Sequence, residues 1–480
     1  MDAIELEVLW GSLISTVNEQ AKALQRAAFS PIVREAGDLA NAMFDRRGRM
    51  VAQAVTGTPG HINSLAKAAV AILDDYPLDT IEPGDVLITN DPYRTAGQLL
   101  DVTALVPAWR NGRIVAFFGS TIHHTDVGGY GIGAGARDVF EEGLWIPVVK
   151  LMKRGERNDD IWKFILSNVR TPDEVAGDLH AQIASGEIGA SRLGHLLDAH
   201  GLDDIEDLAD EVIARSEDAT RRAIRALPAG TYRASSVLDL ADGSEITIEV
   251  ALTVDTDAGE ILVDYAGSSA ASPAGINVVR NYTHAYTTFT IRSVLNPDVP
   301  NNHGSLAPIK VDAPAGTTCA SAVWTCQVSG TREDGRPFIT SMFNYAGGAG
   351  ARAAKAGLSA TAYPTGVAAV PIEVVESTAP LLFRRKELRH ASGGDGGQTG
   401  GLGQVIEFTV ENGRDWTLNA VTSRLAHPPL GLFGGDAGAP GSFTVNGEPV
   451  RTQKRIDLHS GDVVRLDLPG GGGYGEVKSG

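Results

Sequence analysis

Residues 102–120 read VTALVPAWRNGRIVAFFGS, two apolar runs on either side of a polar tetrad. Asn111-Gly112, at the centre of the tetrad, is a preferred dipeptide of two-residue hairpin turns, because both positions need a positive φ. Residues 102–109 and 114–120 are therefore predicted to be strands joined by a tight turn. Residues 86–89 form another short apolar run, which predicts a further strand.

Helical patterns precede and follow these strands. Residues 3–28 place Leu6, Leu9 and Leu13 three or four positions apart, which predicts an amphipathic helix. A hairpin is predicted around residues 46–49, between Met43-Phe44-Asp45 and Met50-Val51-Ala52. Further helices are predicted over residues 62–73, 161–169, 172–185, 191–200, 205–226 and 277–295.

The pattern changes near residue 228, where Leu227-Pro228-Ala229-Gly230 interrupts the helical periodicity. Alternating runs over residues 245–255 and 260–265 are typical of antiparallel strands. From about residue 305 the chain is predicted to be strand and loop, with dense glycine at 393–403 and 431–441.

We therefore predict an α+β, multi-domain protein of mixed helix and largely antiparallel sheet with a Gly-rich C-terminal region. Residues 1–228 would form an N-terminal α/β region that carries the candidate metal site. Residues 229–480 would form a β-rich C-terminal region with Gly-rich loops.

The composition predicts a globular protein with an acidic surface. The chain has 480 residues, 43% of them apolar, and a formal net charge of −18. Such a surface argues against nucleic acid and anionic membranes as partners, and no apolar stretch is long enough to predict a membrane span. Two cysteines, Cys319 and Cys326, are too few for a disulfide framework. Together with an acidic N-terminus unlike a signal peptide, they predict a cytoplasmic location.

The residues best suited to chemistry lie between positions 90 and 129. The motifs NDPY at 90–93, QLLD at 98–101 and HHTDVGG at 123–129 gather two histidines and three carboxylates. Divalent cations and catalytic waters are held by carboxylates and imidazoles placed close together. His123 and Asp126 precede Gly128-Gly129, so both could enter one pocket from a tight turn. Asp101 lies in an apolar run, and the three residues predict a divalent-metal or acid/base site.

Short motifs spread over nearly the whole chain carry a family resemblance. They are Pro59-Gly60-His61, Gly84-Asp85-Val86, Asn90 to Tyr93, His123 to Gly129, Glu142-Gly143-Leu144, Asn168 to Pro172, Pro371-Ile372-Glu373, Ser392-Gly393-Gly394, Gly400 to Gly403 and Pro469 to Gly475. In this order they resemble the hydantoinase B family. That family includes B-type subunits of ATP-dependent N-methylhydantoinases and lactamases, subunits of acetone and acetophenone carboxylases, and the C-terminal part of 5-oxoprolinase.

The resemblance implies a subunit that works in a hetero-oligomer with a larger actin-like ATPase, a hydantoinase A-like subunit. ATP would be bound by that partner, and this chain contains no Gly-x4-Gly-Lys-Ser/Thr motif. The Gly-dense C-terminal region is the predicted contact with the partner.

The resemblance also implies which residues act. A divalent metal, zinc or manganese by ligand type, is expected on Asp101, His123 and Asp126. The candidate catalytic residues are His124, Asp91 and His61.

Several positions depart from the family pattern. Gln98 stands where a metal-binding histidine is expected, and an amide oxygen is a weaker ligand than imidazole for zinc or manganese. Ala391 replaces an aspartate before Ser-Gly-Gly, and Asp38-Leu39-Ala40 stands where the family has Asp-Phe-Ser. These departures leave the metal and the substrate open.

Three functions follow. The preferred one is the B-type subunit of an ATP-dependent cyclic amidase, a hydrolase that opens a hydantoin, lactam or imide ring with a metal-activated water. The second is a subunit of an ATP-dependent ketone carboxylase. The third is a non-catalytic structural subunit of such a complex. Gln98, in place of the expected metal-binding histidine, is consistent with this third function.

Overall fold

The fold is seen in a computed structural model that describes residues 3–55, 58–239, 242–272, 275–314, 324–363, 365–452 and 454–477. Cys319 lies outside these residues, whereas Cys326 is a buried free thiol. Among the described helices, none is long and apolar enough to cross a membrane.

The predicted hairpin lies at the centre of the first sheet. Asn111 and Gly112 have φ values of 50° and 75°, as the turn requires. Antiparallel pairing gives the strand order β2-β1-β5-β4-β3-β6-β7. The strands are β1 (Leu39–Phe44), β2 (Met50–Gln53), β3 (Val86–Thr89), β4 (Asp101–Arg110), β5 (Arg113–His123), β6 (Val149–Lys153) and β7 (Glu156–Arg157).

Helices cover both faces of this sheet. The helices of this half of the chain are α1 (Ala3–Ala27), α2 (Pro31–Arg34), α3 (Pro59–Asp75), α4 (Val139–Glu142), α5 (Asp159–Leu166), α6 (Pro172–His200) and α7 (Glu206–Arg225). Successive residues of a strand point to opposite faces. Accordingly, Phe118 packs in the core formed with α1 and α6, whereas Phe117 packs in the core formed with α3.

Residues 172–200 form one helix, α6, so the predicted division into helices 172–185 and 191–200 is wrong. Two glycines in the segment that was left out of the predicted helices are packing positions. A Cβ at Gly186 would lie 2.4 Å from Val106, and one at Gly189 would lie 2.4 Å from Phe118. Glycine therefore lets α6 approach the sheet closely without ending the helix.

The second half of the chain adds three further sheets among the described residues. Their strand orders are β11-β10-β9-β8, β13-β12-β16-β19 and β14-β15-β20-β17-β18. The elements are β8 (Gly230–Asp239), β9 (Glu245–Asp255), β10 (Glu260–Asp264), α8 (Arg280–Leu295), α9 (His303–Leu306), β11 (Ile309–Asp312), β12 (Trp324–Thr331), β13 (Pro337–Tyr345), α10 (Ile372–Thr378), β14 (Leu381–Leu388), β15 (Gln404–Val410), β16 (Trp416–Val421), β17 (Ser442–Val445), β18 (Glu448–Pro449), β19 (Ile456–Leu458) and β20 (Val463–Asp467).

The predicted α+β class with largely antiparallel sheet is confirmed. Among the described strand pairs, β10 and β11 form the parallel one. The change of pattern near residue 228 falls between α7 and β8. The division into domains at that point stays a prediction.

Glycine-rich segments of the C-terminal half pack backbone against backbone, and we call residues 347–350, 393–403, 431–438 and 470–473 the glycine bundle. The Gly471 N–H donates to the Gly401 carbonyl oxygen, and the Gly394 N–H donates to the Gly471 carbonyl oxygen, both at 2.9 Å. Gly470 to Gly473 are buried against their own chain. These four glycines are therefore held by their own chain, and contact of the Gly-dense C-terminal region with a partner subunit stays a prediction.

Candidate active site

Three adjacent strand ends bring Asp38, Asp101 and His123 together. Asp101 begins β4 and lies opposite His123, the last residue of β5, in the antiparallel register. That register places the His123 Nδ1 atom 2.7 Å from the Asp101 Oδ1 atom. Asp38 directly precedes β1, and its carbonyl oxygen accepts the His123 N–H.

The first turn of α3 supplies the fourth member of this buried cluster, His61. Its Nε2 atom lies 3.2 Å from Asp101 Oδ2, and its Nδ1 atom lies 3.3 Å from Asp38 Oδ1. Thr58, before the helix, donates its hydroxyl to the Asp38 carboxylate. The four side chains therefore run in the order Asp38, His61, Asp101, His123.

The charges of this cluster stabilise one another. Burial alone would lower the pKa of His61, but the carboxylates of Asp101 and Asp38 outweigh it and raise the pKa to about 9. Burial likewise opposes ionisation of Asp101, yet the imidazoles of His61 and His123 hold the pKa of that carboxyl well below its usual range. At neutral pH His61 is an imidazolium between two carboxylates.

His124, a predicted catalytic residue, has different surroundings. It is buried, and burial lowers its pKa, so its ring is neutral at pH 7. Asp178 and Gln182 of α6 are its principal polar neighbours. His124 therefore contributes to the packing of α6 against the strand ends, and its catalytic role stays a prediction.

Asp126 and Asp91 make contacts of their own. Asp126 Oδ1 accepts the Arg170 guanidinium at 2.6 Å and the Gly128 N–H at 2.9 Å, and its other oxygen accepts the Arg170 N–H. Asp91 Oδ1 accepts the Tyr93 N–H at 3.0 Å, which is the bonding of a turn residue. The structure brings together Asp101, His123 and His61, but these contacts do not include Asp126 or Asp91.

As placed, these residues do not fit a divalent ion. The two nitrogens of His61 face different carboxylates, and the His123 Nδ1 atom faces Asp101, so these nitrogens do not converge on one point. Both oxygens of Asp126 are already occupied by Arg170 and the backbone. Within the described part of the chain, no group of three or more His, Cys, Asp or Glu side chains is positioned to hold a metal ion. The zinc or manganese site stays a prediction.

A cavity of about 190 Å³ lies beside the cluster. Leu99, Leu100 and Gln98, the residues that lead into Asp101, line one wall, and Tyr282 of α8 lines another. The charges of Asp101 and Asp38 act on the Tyr282 hydroxyl, which places this ring near the cluster. A Cβ at Gly60 would lie 2.6 Å from the Tyr282 ring, so glycine there lets the ring pack against α3.

Glu142 lines the same cavity, and the sequence reasoning did not select it as a site residue. Burial, followed by the charge of Asp138, raises the pKa of its carboxyl to about 7. The neighbouring Glu141, by contrast, forms an ion pair with Arg137 at the surface. A carboxyl that titrates near neutral pH inside a cavity is suited to proton transfer. The family motif Glu142-Gly143-Leu144 is the sequence signal that could have identified Glu142 as a site residue.

The sequence model for Hydantoinase B/oxoprolinase matches residues 2–324 and 318–477. The chain belongs to this family. A protein of Pseudomonas sp. (strain NS671), assigned as the B-type subunit of a D-/L-hydantoinase, is 29% identical over 537 residues. The match covers 99% of this chain and 90% of that family member, so the predicted resemblance is confirmed along the chain.

Two solved structures show the same fold. An acetone carboxylase superposes with a TM-score of 0.87 at 18% identity, covering 99% of this chain and 76% of the other. An ATP-dependent caprolactamase of Pseudomonas jessenii superposes with a TM-score of 0.86 at 24% identity. The superposition covers 99% of this chain and 91% of the caprolactamase chain. These likenesses establish the architecture, which is shared by proteins of two different activities.

Proposed function

We propose that the chain is the B-type subunit of an ATP-dependent hydrolase that opens a cyclic amide, acting with an actin-like ATPase subunit. Membership of the hydantoinase B/oxoprolinase family and the relative assigned to a D-/L-hydantoinase support this class of reaction. The observation that carries the proposal is the 190 Å³ cavity with Glu142 in its wall. Its size suits a small ring, and apolar walls with few polar groups are typical of ligand sites.

Glu142 supplies the proton transfers that ring opening needs. The ionised carboxylate accepts a proton from water as the water oxygen bonds to the ring carbonyl carbon. The carboxylic acid so formed then gives that proton to the ring nitrogen as the C–N bond breaks. Beforehand, the partner transfers the γ-phosphoryl group of ATP to the carbonyl oxygen and releases ADP. Breaking of the C–N bond then leaves an acyl phosphate, which a second water hydrolyses to the carboxylate and inorganic phosphate.

The test is reconstitution with the actin-like ATPase subunit. ADP release and ring-opened product are measured with a hydantoin, a lactam and an imide, and separately with acetone plus bicarbonate. We expect ADP release to be coupled to ring opening, and only when both subunits are present. The isolated chain should neither bind ATP tightly nor open a ring.

Other outcomes of the same assay would contradict the proposal. ADP release that requires both acetone and bicarbonate would identify a ketone carboxylase. A stable complex whose ATP turnover responds to none of these compounds would favour the structural subunit.

A further inference from the structure

A second cavity, of about 570 Å³, lies between α3, α8 and the loop of residues 296–301. The residues that line it are separate from those of the 190 Å³ cavity. Ile14, Ile62 and Phe289 give it apolar walls, and Arg292 of α8 provides a cation. The volume is typical of a small-molecule site.

Arg292 is buried without a carboxylate as an ion-pair partner among the described residues. Arg292 is only 7% exposed, and within the described part of the chain no carboxylate forms an ion pair with it. Burial lowers its pKa to about 10, and no neighbouring charge restores it. A buried cation is usually paired, because removing an unpaired charge from water is costly.

An amide network holds the guanidinium in place. Arg292 donates from Nη1 to Asn301 Oδ1 and from Nη2 to the Val299 carbonyl oxygen, both at 2.6 Å. Asn301 in turn donates to Gln53 Oε1 at 2.6 Å and to Asn63 Oδ1 at 2.8 Å. The guanidinium of Arg292 is therefore oriented before any ligand binds, which lowers the entropy cost of binding.

Holding the loop of residues 296–301 in place explains only part of why a guanidinium is buried here. The two hydrogen bonds engage two of the five N–H groups of the guanidinium, and the Nε–H makes none within the described residues. A neutral donor could brace Val299 and Asn301 without the cost of a buried charge. Asp298, the acid in the cavity lining, is an exposed residue that forms no ion pair with Arg292.

We propose that this cavity binds a small organic carboxylate, with the carboxylate group at Arg292 and an apolar body against Ile14, Ile62 and Phe289. A planar guanidinium matches the two oxygens of a carboxylate, and the carboxylate would supply the charge partner that Arg292 lacks. The apolar walls favour an organic acid over inorganic phosphate, whose surface is polar on every side. This assignment does not depend on the proposed ring-opening reaction.

The experiment measures binding to the purified full-length chain by calorimetry and by the shift in Tm. The probes are hexanoate, hexanamide as a neutral ligand of the same shape, and inorganic phosphate. We expect hexanoate to bind and to raise Tm, and hexanamide and phosphate to bind at least about tenfold more weakly, since the charged hydrogen bonds are lost or the apolar contact is missing.

Variants locate the site. Arg292→Gln should weaken hexanoate binding about tenfold or more, whereas Arg280→Gln, at an exposed arginine of the same helix, should leave it unchanged. Asp298→Asn removes the cavity's acid and should tighten hexanoate binding, which provides a test if the Arg292 variant does not fold. Equal binding of hexanoate and hexanamide, preferential binding of phosphate, or unchanged hexanoate binding in a folded Arg292→Gln protein or in Asp298→Asn would overturn the proposal.

Discussion

Glu142 is the carboxyl group whose charge changes near neutral pH inside the 190 Å³ cavity. Because the base is the ionised form, the rate of ring opening should rise with pH through about 7. Glu142→Gln cannot ionise and should lower turnover by about 10²- to 10⁴-fold, the usual contribution of a general base. The measurement is the pH profile of ATP-dependent turnover by the reconstituted complex.

Glu141→Gln is the matched control for this prediction. Glu141 is adjacent in sequence, but it pairs with Arg137 at the surface. The Glu141→Gln enzyme should retain both the turnover rate and the pH profile of the wild type. A Glu142→Gln enzyme that kept the same rise through pH 7 would assign that titration to another group.

Gln98 tests the metal prediction at a single residue. It lines the cavity three positions before Asp101, where the family resemblance places a histidine. Gln98→His should strengthen zinc or manganese binding, because imidazole is the better ligand for these ions. Equilibrium dialysis with elemental analysis measures the change, and Gln98→Asn serves as the control. Equal affinity in the wild type and in Gln98→His would mean that this side chain does not reach the ion.

The candidate site could be predicted only in part, and the reason differs between residues. Asp101 and His123 were predicted from the QLLD and HHTDVGG motifs and from the family resemblance. The structure adds that they lie opposite each other in the hairpin that Asn111-Gly112 closes. His61 was predicted from the family resemblance, but its position beside Asp101 was not, because no local pattern reports that α3 begins beside β4. Asp38 was not selected as a site residue, because it comes from a part of the chain distant in sequence from Asp101. Glu142 was missed because its raised pKa arises from burial, which a single sequence does not show.

At the scale of elements, α6 depends on glycines that let a helix lie directly on a sheet. Gly189→Ala would place a Cβ 2.4 Å from the Phe118 ring, and such overpacking should lower the free energy of unfolding by about 1–3 kcal/mol. Gly194→Ala, in the same helix with no atom within 4 Å of the new Cβ, should raise it by up to about 1 kcal/mol. Urea unfolding of both variants gives the comparison. A similar effect of the two substitutions would show that Gly189 is not a packing position.

Elements with a strong local pattern were predicted closely, and those that depend on tertiary contacts were not. The helices at residues 3–28 and 205–226 end within one or two residues of the prediction, because their apolar periodicity is regular. The strand at residues 245–255 has the predicted bounds. The predicted division of α6 was wrong because the helix continues through Gly186 and Gly189, which pack against Val106 and Phe118, and such tertiary contacts are not visible in a local pattern.

At the scale of the whole molecule, the glycine bundle joins segments that are far apart in the chain. A Cβ at Gly471 would lie 2.0 Å from the Ala349 carbonyl oxygen, a contact that no rotamer change can relieve. Gly471→Ala should therefore lower the free energy of unfolding by about 3 kcal/mol or more. Gly350→Ala, whose nearest neighbour would be 3.8 Å away, should change it by less than about 0.5 kcal/mol. Calorimetric Tm values test the pair, and equal values would refute the close backbone packing.

The glycine bundle also sets an order of events during synthesis of the protein. Residues 347–350 leave the ribosome more than a hundred residues before Gly470 to Gly473, against which they pack. At roughly 5–20 residues per second, the early segment waits on the order of ten seconds for its neighbours. A segment rich in glycine exposes little apolar surface and forms strands poorly. Until its neighbours are synthesised, it therefore has a low tendency to pair with other chains and aggregate. The composition that permits the final packing thus also protects the nascent chain until that packing becomes possible.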